Sequence, residues 1–303
     1  MEEFEKPQSF TEFGFVIIKG LLSPREVEKL RLFIQAKLAF HGHDRKMNSY
    51  QTFLYPELYL LQFEERAVKM LKTVLGENLC YYPDLHVHHN MFGHPGWHMD
   101  SNSEGHAKYL QSSDYKFAKC GIYLQDNTLD WGGGIKLLPK GHKLSIMTGV
   151  PRIDLRLRRF LDYCSVNYSF PIKPLNVDTK AGDMLIFDSR LLHASTLPKR
   201  MAELKRVNGN QLLGIPQESE KIVVYWDASN SNMKNDFLKN ATKRALKEER
   251  GGDTFFTGWT KYYFPDDFPE DYIAKTREYD VEIGCWDRQK CQEMKLQFEE
   301  KMS

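Results

Sequence analysis

The sequence predicts a mainly β core, of sandwich or barrel type, with a helical layer on one side. Three observations lead there. Helical spacing of apolar residues is concentrated before Cys80. From Cys80 onward, short runs rich in Val, Ile, Tyr and Phe alternate with clusters of Gly, Pro, Asn and Asp, the pattern of strands joined by turns. Helices first and strands afterwards fit an α+β chain whose helices cover one side of a sheet structure. With 303 residues and an ordinary 41% hydrophobic content, one large domain with elaborations accommodates the chain.

In chain order, Gly14-Phe15-Val16-Ile17-Ile18 reads as a short strand. Ser23-Pro24-Arg25-Glu26 is a helix start: Ser23 caps, Pro24 suits the first turn, and Glu26 closes a capping box. Val27, Leu30, Ile34 and Leu38 then recur at helical spacing. A second helix is expected from Pro56 to Leu75, stopping before Gly76. Strands are expected at Leu85–His89, Gly96–Met99, Ala118–Gln125, Ile135–Pro139, Met184–Phe187 and Lys221–Trp226. Asp154–Tyr163 reads as helical. Leu197–Glu220 reads as a long polar connection of the kind that often serves as a lid. From Asn232 on, charged helix-like stretches and an aromatic loop show little β character. The expected organisation is a core domain over 1–231 and a helical C-terminal appendage over 232–303.

Composition excludes several classes. Forty-two Lys and Arg face 41 Asp and Glu, so no basic excess points to nucleic acid or to an anionic membrane. No apolar stretch has the length of a membrane span, and residues 1–9 lack the basic start and apolar run of a secretory signal. Five scattered cysteines include no Cys-x-x-Cys pair, which fits reduced thiols and a cytoplasmic location.

Trp97-His98-Met99-Asp100 carries the chemistry. In an extended segment alternate side chains share a face, so His98 and Asp100 offer an imidazole and a carboxylate to one ion. His193, just after the strand Asp183–Phe187, is the best third ligand. Two imidazoles and one carboxylate form a facial triad that leaves positions open for Fe(II) oxygen chemistry, whereas a structural site closes with four protein ligands. His86 and His88 alternate on one face of a strand entering the site. His41 and His43 read as surface, and Gly132-Gly133-Gly134 lacks the context of a phosphate loop and reads as a turn.

Trp97-His98-Met99-Asp100, Leu124-Gln125-Asp126, Gly132 to His142, Ala181-Gly182-Asp183-Met184-Leu185-Ile186-Phe187-Asp188 and Leu192-His193-Ala194-Ser195, in this order, resemble the phytanoyl-CoA dioxygenase family; the opening Phe13–Ile18 and the helix after Ser23 do so as well. The resemblance covers about Phe10 to Ser229. It implies a double-stranded β-helix of the jelly-roll or cupin kind, with Fe(II) as metal, 2-oxoglutarate as cosubstrate and O2 as oxidant. It also implies that Ser195 hydrogen-bonds the distal carboxylate of 2-oxoglutarate, beside a basic residue that is usually arginine. Here the usual position offers no arginine. Lys221, at the start of the last core strand, takes its place, with Arg206 and Arg200 as alternatives. Among cavity residues His88 is assigned to the cofactor side, and His86, Tyr123 and Ile135 to the substrate. The loop Ser101–Lys116, with Asn102, Glu104, His106 and Tyr109, is placed to close over the site. The implied reaction is hydroxylation, or a related oxidation, of an unactivated C–H bond in a small polar metabolite, sugar derivative or natural-product intermediate. Asp100 argues against halogenation, which needs its position open. A non-catalytic metal-binding cupin acting as sensor or scaffold is the rival reading.

Overall fold

A computed structural model describes residues 2–41, 46–91, 97–100, 114–143, 173–200, 203–207, 211–235, 237–238, 265–285 and 293. The expected helix Asp154–Tyr163, nearly all of the loop Ser101–Lys116 and most of the charged stretches after Asn232 lie outside these residues. The chain forms two compact units, 1–46 with 87–225 and 47–86 with 226–303. The last crossing, between Tyr225 and Trp226, falls just before the 231/232 boundary drawn from the sequence.

The first unit holds two sheets. One runs β1 (Phe15–Ile18), β8 (Met184–Asp188), β5 (Phe117–Tyr123), then the first residues of β12 (Ile222–Asn230), with β4 (His86–His89) also on β12. The other runs β7 (Leu175–Asn176), β6 (Ile135–Leu137), β9 (His193–Ser195). β8 pairs antiparallel with β1 and β5, and β6 with β7 and β9; Ile17, Leu185 and Gly121 lie abreast. Between the sheets Phe15, Ile17, Leu185, Phe187 and Val223 meet Ile135 and Leu137 in a buried core. This is the double-stranded β-helix arrangement expected.

The helix Pro24–Phe40 begins as read from the sequence. Glu26 Oε2 accepts the Ser23 N–H at 2.8 Å, Ser23 Oγ accepts that of Glu26, and Val27, Leu30, Ile34 and Leu38 are buried. Gly182, just ahead of β8, has φ +91, and a Cβ there would strike the carbonyl oxygen of Leu22. Only glycine fits that approach without strain. The polar connection 197–220 contains a hairpin, β10 (Lys205–Val207) with β11 (Gln211–Leu213), paired in a two-stranded sheet of its own.

The second unit packs helices and aromatic rings on a small sheet. β3 (Leu79–Tyr81) pairs antiparallel with the end of β12 and parallel with β13 (Val281–Ile283), so the C-terminal segment contributes a strand. Phe53, Tyr59, Phe63, Phe268 and Tyr272 meet mostly edge to face, with centroids 5.1–5.9 Å apart. Tyr59 donates to Asp271 on the helix Glu270–Glu278. The expected helix Pro56–Leu75 is broken. Pro56–Tyr59 passes into a 3-10 turn, Leu60–Phe63, and Glu64 is extended at φ −60, ψ 126. Glu64 caps the next helix, its carboxylate accepting the Arg66 N–H at 2.7 Å. The short strand β2 (Lys46–Met47) lies at the first crossing. No described helix is long and apolar enough to cross a membrane.

Candidate metal centre

His98 and His193 face each other as a ladder pair, each N–H donating to the other's carbonyl at 2.9 Å. Trp97 and Met99 pack on Leu138, Leu192 and Ala194. That anchors one face of the segment and turns His98 and Asp100 to the other. His193 Nε2 lies 3.7 Å and His98 Nε2 3.9 Å from Asp100 Oδ1. One ligand atom from each of the three lies within 4.8 Å of the others. An ion bonded at about 2.1 Å needs adjacent donors about 3 Å apart, so each imidazole–carboxylate pair has to close by less than about 1 Å, and the widest pair of the set by up to about 2 Å. Two imidazoles and one carboxylate are the donors of a facial Fe(II) site.

The turn before His193 fixes its ring. The Asp188 carboxylate accepts from Arg190 three times: from its N–H at 2.8 Å, Nε at 3.0 Å and Nη2 at 2.7 Å. Both residues are buried, and the guanidinium lies over the Tyr115 ring, 4.4 Å from its centroid. The Leu191 N–H donates to Asp188 O at 2.7 Å. Leu191 O in turn lies 2.9 Å from His193 Nδ1. That carbonyl can only accept, so it selects the tautomer with hydrogen on Nδ1 and a lone pair on Nε2 for a metal.

Beside the triad lies Tyr225. Its ring rests on Gly121, where an added Cβ would come within 2.8 Å of it, and meets His88 edge-on at 5.3 Å. Burial pushes its phenol up to about 12, and the Asp100 carboxylate adds to the effect. Just ahead of β12, Lys221 is only 4% exposed. Burial lowers its ammonium to about 8. Asn90, at φ 47, holds the Lys221 backbone from both sides: its N–H donates to Lys221 O at 2.8 Å and its Oδ1 accepts the Lys221 N–H at 3.0 Å. A buried amine is a fitting partner for a carboxylate.

The family model described as phytanoyl-CoA dioxygenase (PhyH) matches residues 10–197. The chain belongs to the phytanoyl-CoA dioxygenase family. It is accordingly an Fe(II)- and 2-oxoglutarate-dependent oxygenase. No curated protein sequence matches it. Among solved structures, it is similar to the epimerase SnoN in complex with Fe3+, alpha ketoglutarate and nogalamycin RO, at 14% identity and TM-score 0.51, over 76% of this chain and 83% of that one. HygX from Streptomyces hygroscopicus with iron bound gives 15% identity and TM-score 0.51, over 73% and 84%. The carbocyclase SnoK from nogalamycin biosynthesis gives 16% and 0.50, over 75% and 83%. At such identities the likeness is one of fold.

Set against this phytanoyl-CoA dioxygenase fold, the residues singled out in the sequence separate. His98, Asp100 and His193 come together, and Ser195 ends β9 opposite Ile135, which is buried in the core between the sheets. His88 is half-buried against Tyr225, and Tyr123 is buried with its ring centroid 6.4 Å from that of Tyr225. His86 belongs to the second unit, where its Nδ1 lies 3.1 Å from Asp84 Oδ1. Arg200 is a surface residue paired with Glu203 and stacked over Trp131, and Arg206 sits in the hairpin outside both sheets. Sequence reasoning missed Tyr225 and the Asp188–Arg190 turn. Strand alternation from Lys221 places Val223 and Tyr225 on its face and was signal enough for the tyrosine.

Proposed function

We propose that this chain hydroxylates an unactivated C–H bond of a small polar metabolite, sugar-type or natural-product molecule. In this reading His98, Asp100 and His193 hold Fe(II), and Lys221 and Ser195 hold the distal carboxylate of 2-oxoglutarate. The observation that carries it is the convergence of two imidazoles and one carboxylate in a unit that also buries a lysine. When bound, iron, O2 and 2-oxoglutarate supply the oxidation, with release of succinate and CO2.

The protein's own groups bind and orient. Leu191 O keeps the His193 Nε2 lone pair directed at the ion. Lys221 supplies a point charge where related sites use arginine's two-pronged fork. His193 is 7% exposed at its side chain, His98 23% and Asp100 32%. The accessible side of the triad is thus that of His98 and Asp100, from which a small substrate approaches. His88, Tyr123 and Ile135 line the interior, with Tyr225 added to them. Their mixed polar and aromatic character suits a small polar guest better than an acyl chain.

Anaerobic titration of the protein with Fe(II) and 2-oxoglutarate tests the assignment. A weak visible charge-transfer band is expected in the wild type and none in His98→Ala or Asp100→Ala. An unaltered band in both variants refutes the ligand set. A band without succinate formation, across pools of small polar molecules, favours a metal-binding sensor or scaffold instead.

A further inference from the structure

Exchanging arginine for lysine has a physical consequence. Arginine's planar fork is preorganised, whereas a lysine ammonium is a point charge on a flexible four-carbon stem. Such a charge meets its guest at one place only if the root of the stem is fixed. Asn90, which follows β4 and is buried, does part of this. Its left-handed backbone, φ 47, is a conformation that persists in a non-glycine residue where the surroundings impose it. Its N–H donates to Lys221 O at 2.8 Å, and its Oδ1 accepts the Lys221 N–H at 3.0 Å. Its Nδ2 then donates to Glu220 Oε1 at 3.2 Å.

Glu220 carries the hold to the helix Pro24–Phe40. Its Oε2 accepts from Gln35 Nε2 at 2.9 Å and lies 3.3 Å from His89 Nε2. These bonds, that of His89 foremost, keep its carboxyl below the usual range. Arg31, on the same helix as Gln35, donates to Glu220 O at 3.1 Å and to Leu124 O at 2.8 Å. On the other side of Lys221, the Ile222 N–H donates to Gln125 Oε1 at 2.8 Å. The chain is thus pinned before, at and after the lysine. The glycine turn 132–134 shows where the pinned residue lies. A Cβ added to Gly133 would come 3.4 Å from Lys221 Cβ. The Gly133 N–H donates to Thr196 O at 3.2 Å, one residue past Ser195. The root of the Lys221 side chain therefore borders a turn bonded to the end of β9, the strand of His193 and Ser195.

We propose that Asn90 and Glu220 are positioning residues for the cosubstrate: they lock the Lys221 backbone so that its ammonium meets the distal carboxylate of 2-oxoglutarate from a fixed origin. This rests on the 2-oxoglutarate reading above and adds to it two residues that act through the lysine. The rigidity that arginine carries in its own side chain is supplied here by the chain around Lys221.

The test compares 2-oxoglutarate with 2-oxobutyrate, which keeps the keto and C1-carboxylate groups but lacks the distal carboxylate. Binding of each to the anaerobic Fe(II)-loaded protein is measured by calorimetry in wild type, Lys221→Ala and Asn90→Gly. Glycine accepts the φ of 47 and keeps the N–H donated to Lys221 O, so this variant removes the side-chain bonds alone. It is expected to weaken 2-oxoglutarate about three- to ten-fold, the value of one hydrogen bond's worth of placement. Its affinities for 2-oxobutyrate and for Fe(II) should stay within about two-fold of wild type. In a Lys221→Ala background the same substitution should change 2-oxoglutarate affinity by less than about two-fold, because the lysine it acts through is gone. Glu220→Ala should repeat this pattern and serves if the glycine variant does not fold. Equal weakening of both keto acids, unchanged 2-oxoglutarate affinity, or a full further loss in the Lys221→Ala background overturns the positioning role. A Lys221→Ala protein that binds 2-oxoglutarate like the wild type, or a wild type that binds neither keto acid, overturns instead the cosubstrate reading beneath it.

Discussion

Raising the pH from 7 to 9 should discharge Lys221 and loosen the cosubstrate. Burial lowers its pKa to about 8, so about nine in ten molecules carry the charge at pH 7 and about one in ten at pH 9. The sign follows from the group: a lysine is cationic on the acid side of its pKa, and both carboxylates of 2-oxoglutarate are ionised throughout this range. If only the ammonium form binds the distal carboxylate, the apparent Kd rises about ten-fold between the two pH values. A lysine at its ordinary pKa near 10.4 would change the Kd by only a few per cent. The assay is calorimetric binding of 2-oxoglutarate to the anaerobic Fe(II)-loaded protein at half-unit steps. 2-Oxobutyrate serves as the control for titration at the metal, and its curve should be flat. Lys221→Ala should bind 2-oxoglutarate weakly and without this pH dependence, and Lys221→Arg should bind it with a flat profile because arginine stays charged. A flat wild-type curve, or a ten-fold rise that survives in Lys221→Ala, refutes the assignment of Lys221.

Two substitutions probe the scaffold around the triad. Asp188→Asn leaves the Arg190 guanidinium, 6% exposed, without its carboxylate, and a loss of about 3 kcal/mol is expected; a urea midpoint that implies less than about 1 kcal/mol counts against a buried ion pair here. The same variant should weaken Fe(II) binding, because the turn it loosens presents Leu191 O to His193. Gly121→Ala brings a methyl within 2.8 Å of the Tyr225 ring and should cost about 1–3 kcal/mol by overpacking, most of it recovered in the double variant with Tyr225→Ala; a fully stable single variant means the ring does not rest on that strand.

What the sequence made legible was mostly local. Trp97-His98-Met99-Asp100 could be read because a period of two sorts the four side chains onto two faces, and the packing of Trp97 and Met99 enforces that sorting. The helix after Ser23 could be read because its cap is written in adjacent residues. The break at Glu64 was hidden: Pro56–Leu75 keeps helical spacing in the sequence, and only an extended residue that caps the following turn interrupts it. The second unit was invisible for a different reason. Tyr59 meets Asp271 across 212 residues of chain, and no local pattern encodes such a contact. Within the site, His86 looked like a cavity residue by alternation with His88, yet it sits beside Asp84, two positions earlier. The hairpin in 197–220 escaped because its strands are only three residues long, and Lys205–Val207 offers no alternation to count.

The interleaving of the two units has a consequence for anyone shortening this chain. Residues 47–86 and 226–303 build one body from two distant stretches, and their rings share one cluster. Trimming the C-terminal stretch would therefore strip Phe53, Tyr59 and Phe63 of their neighbours and present wet aromatic surface. Such a fragment invites aggregation, however intact its metal ligands remain.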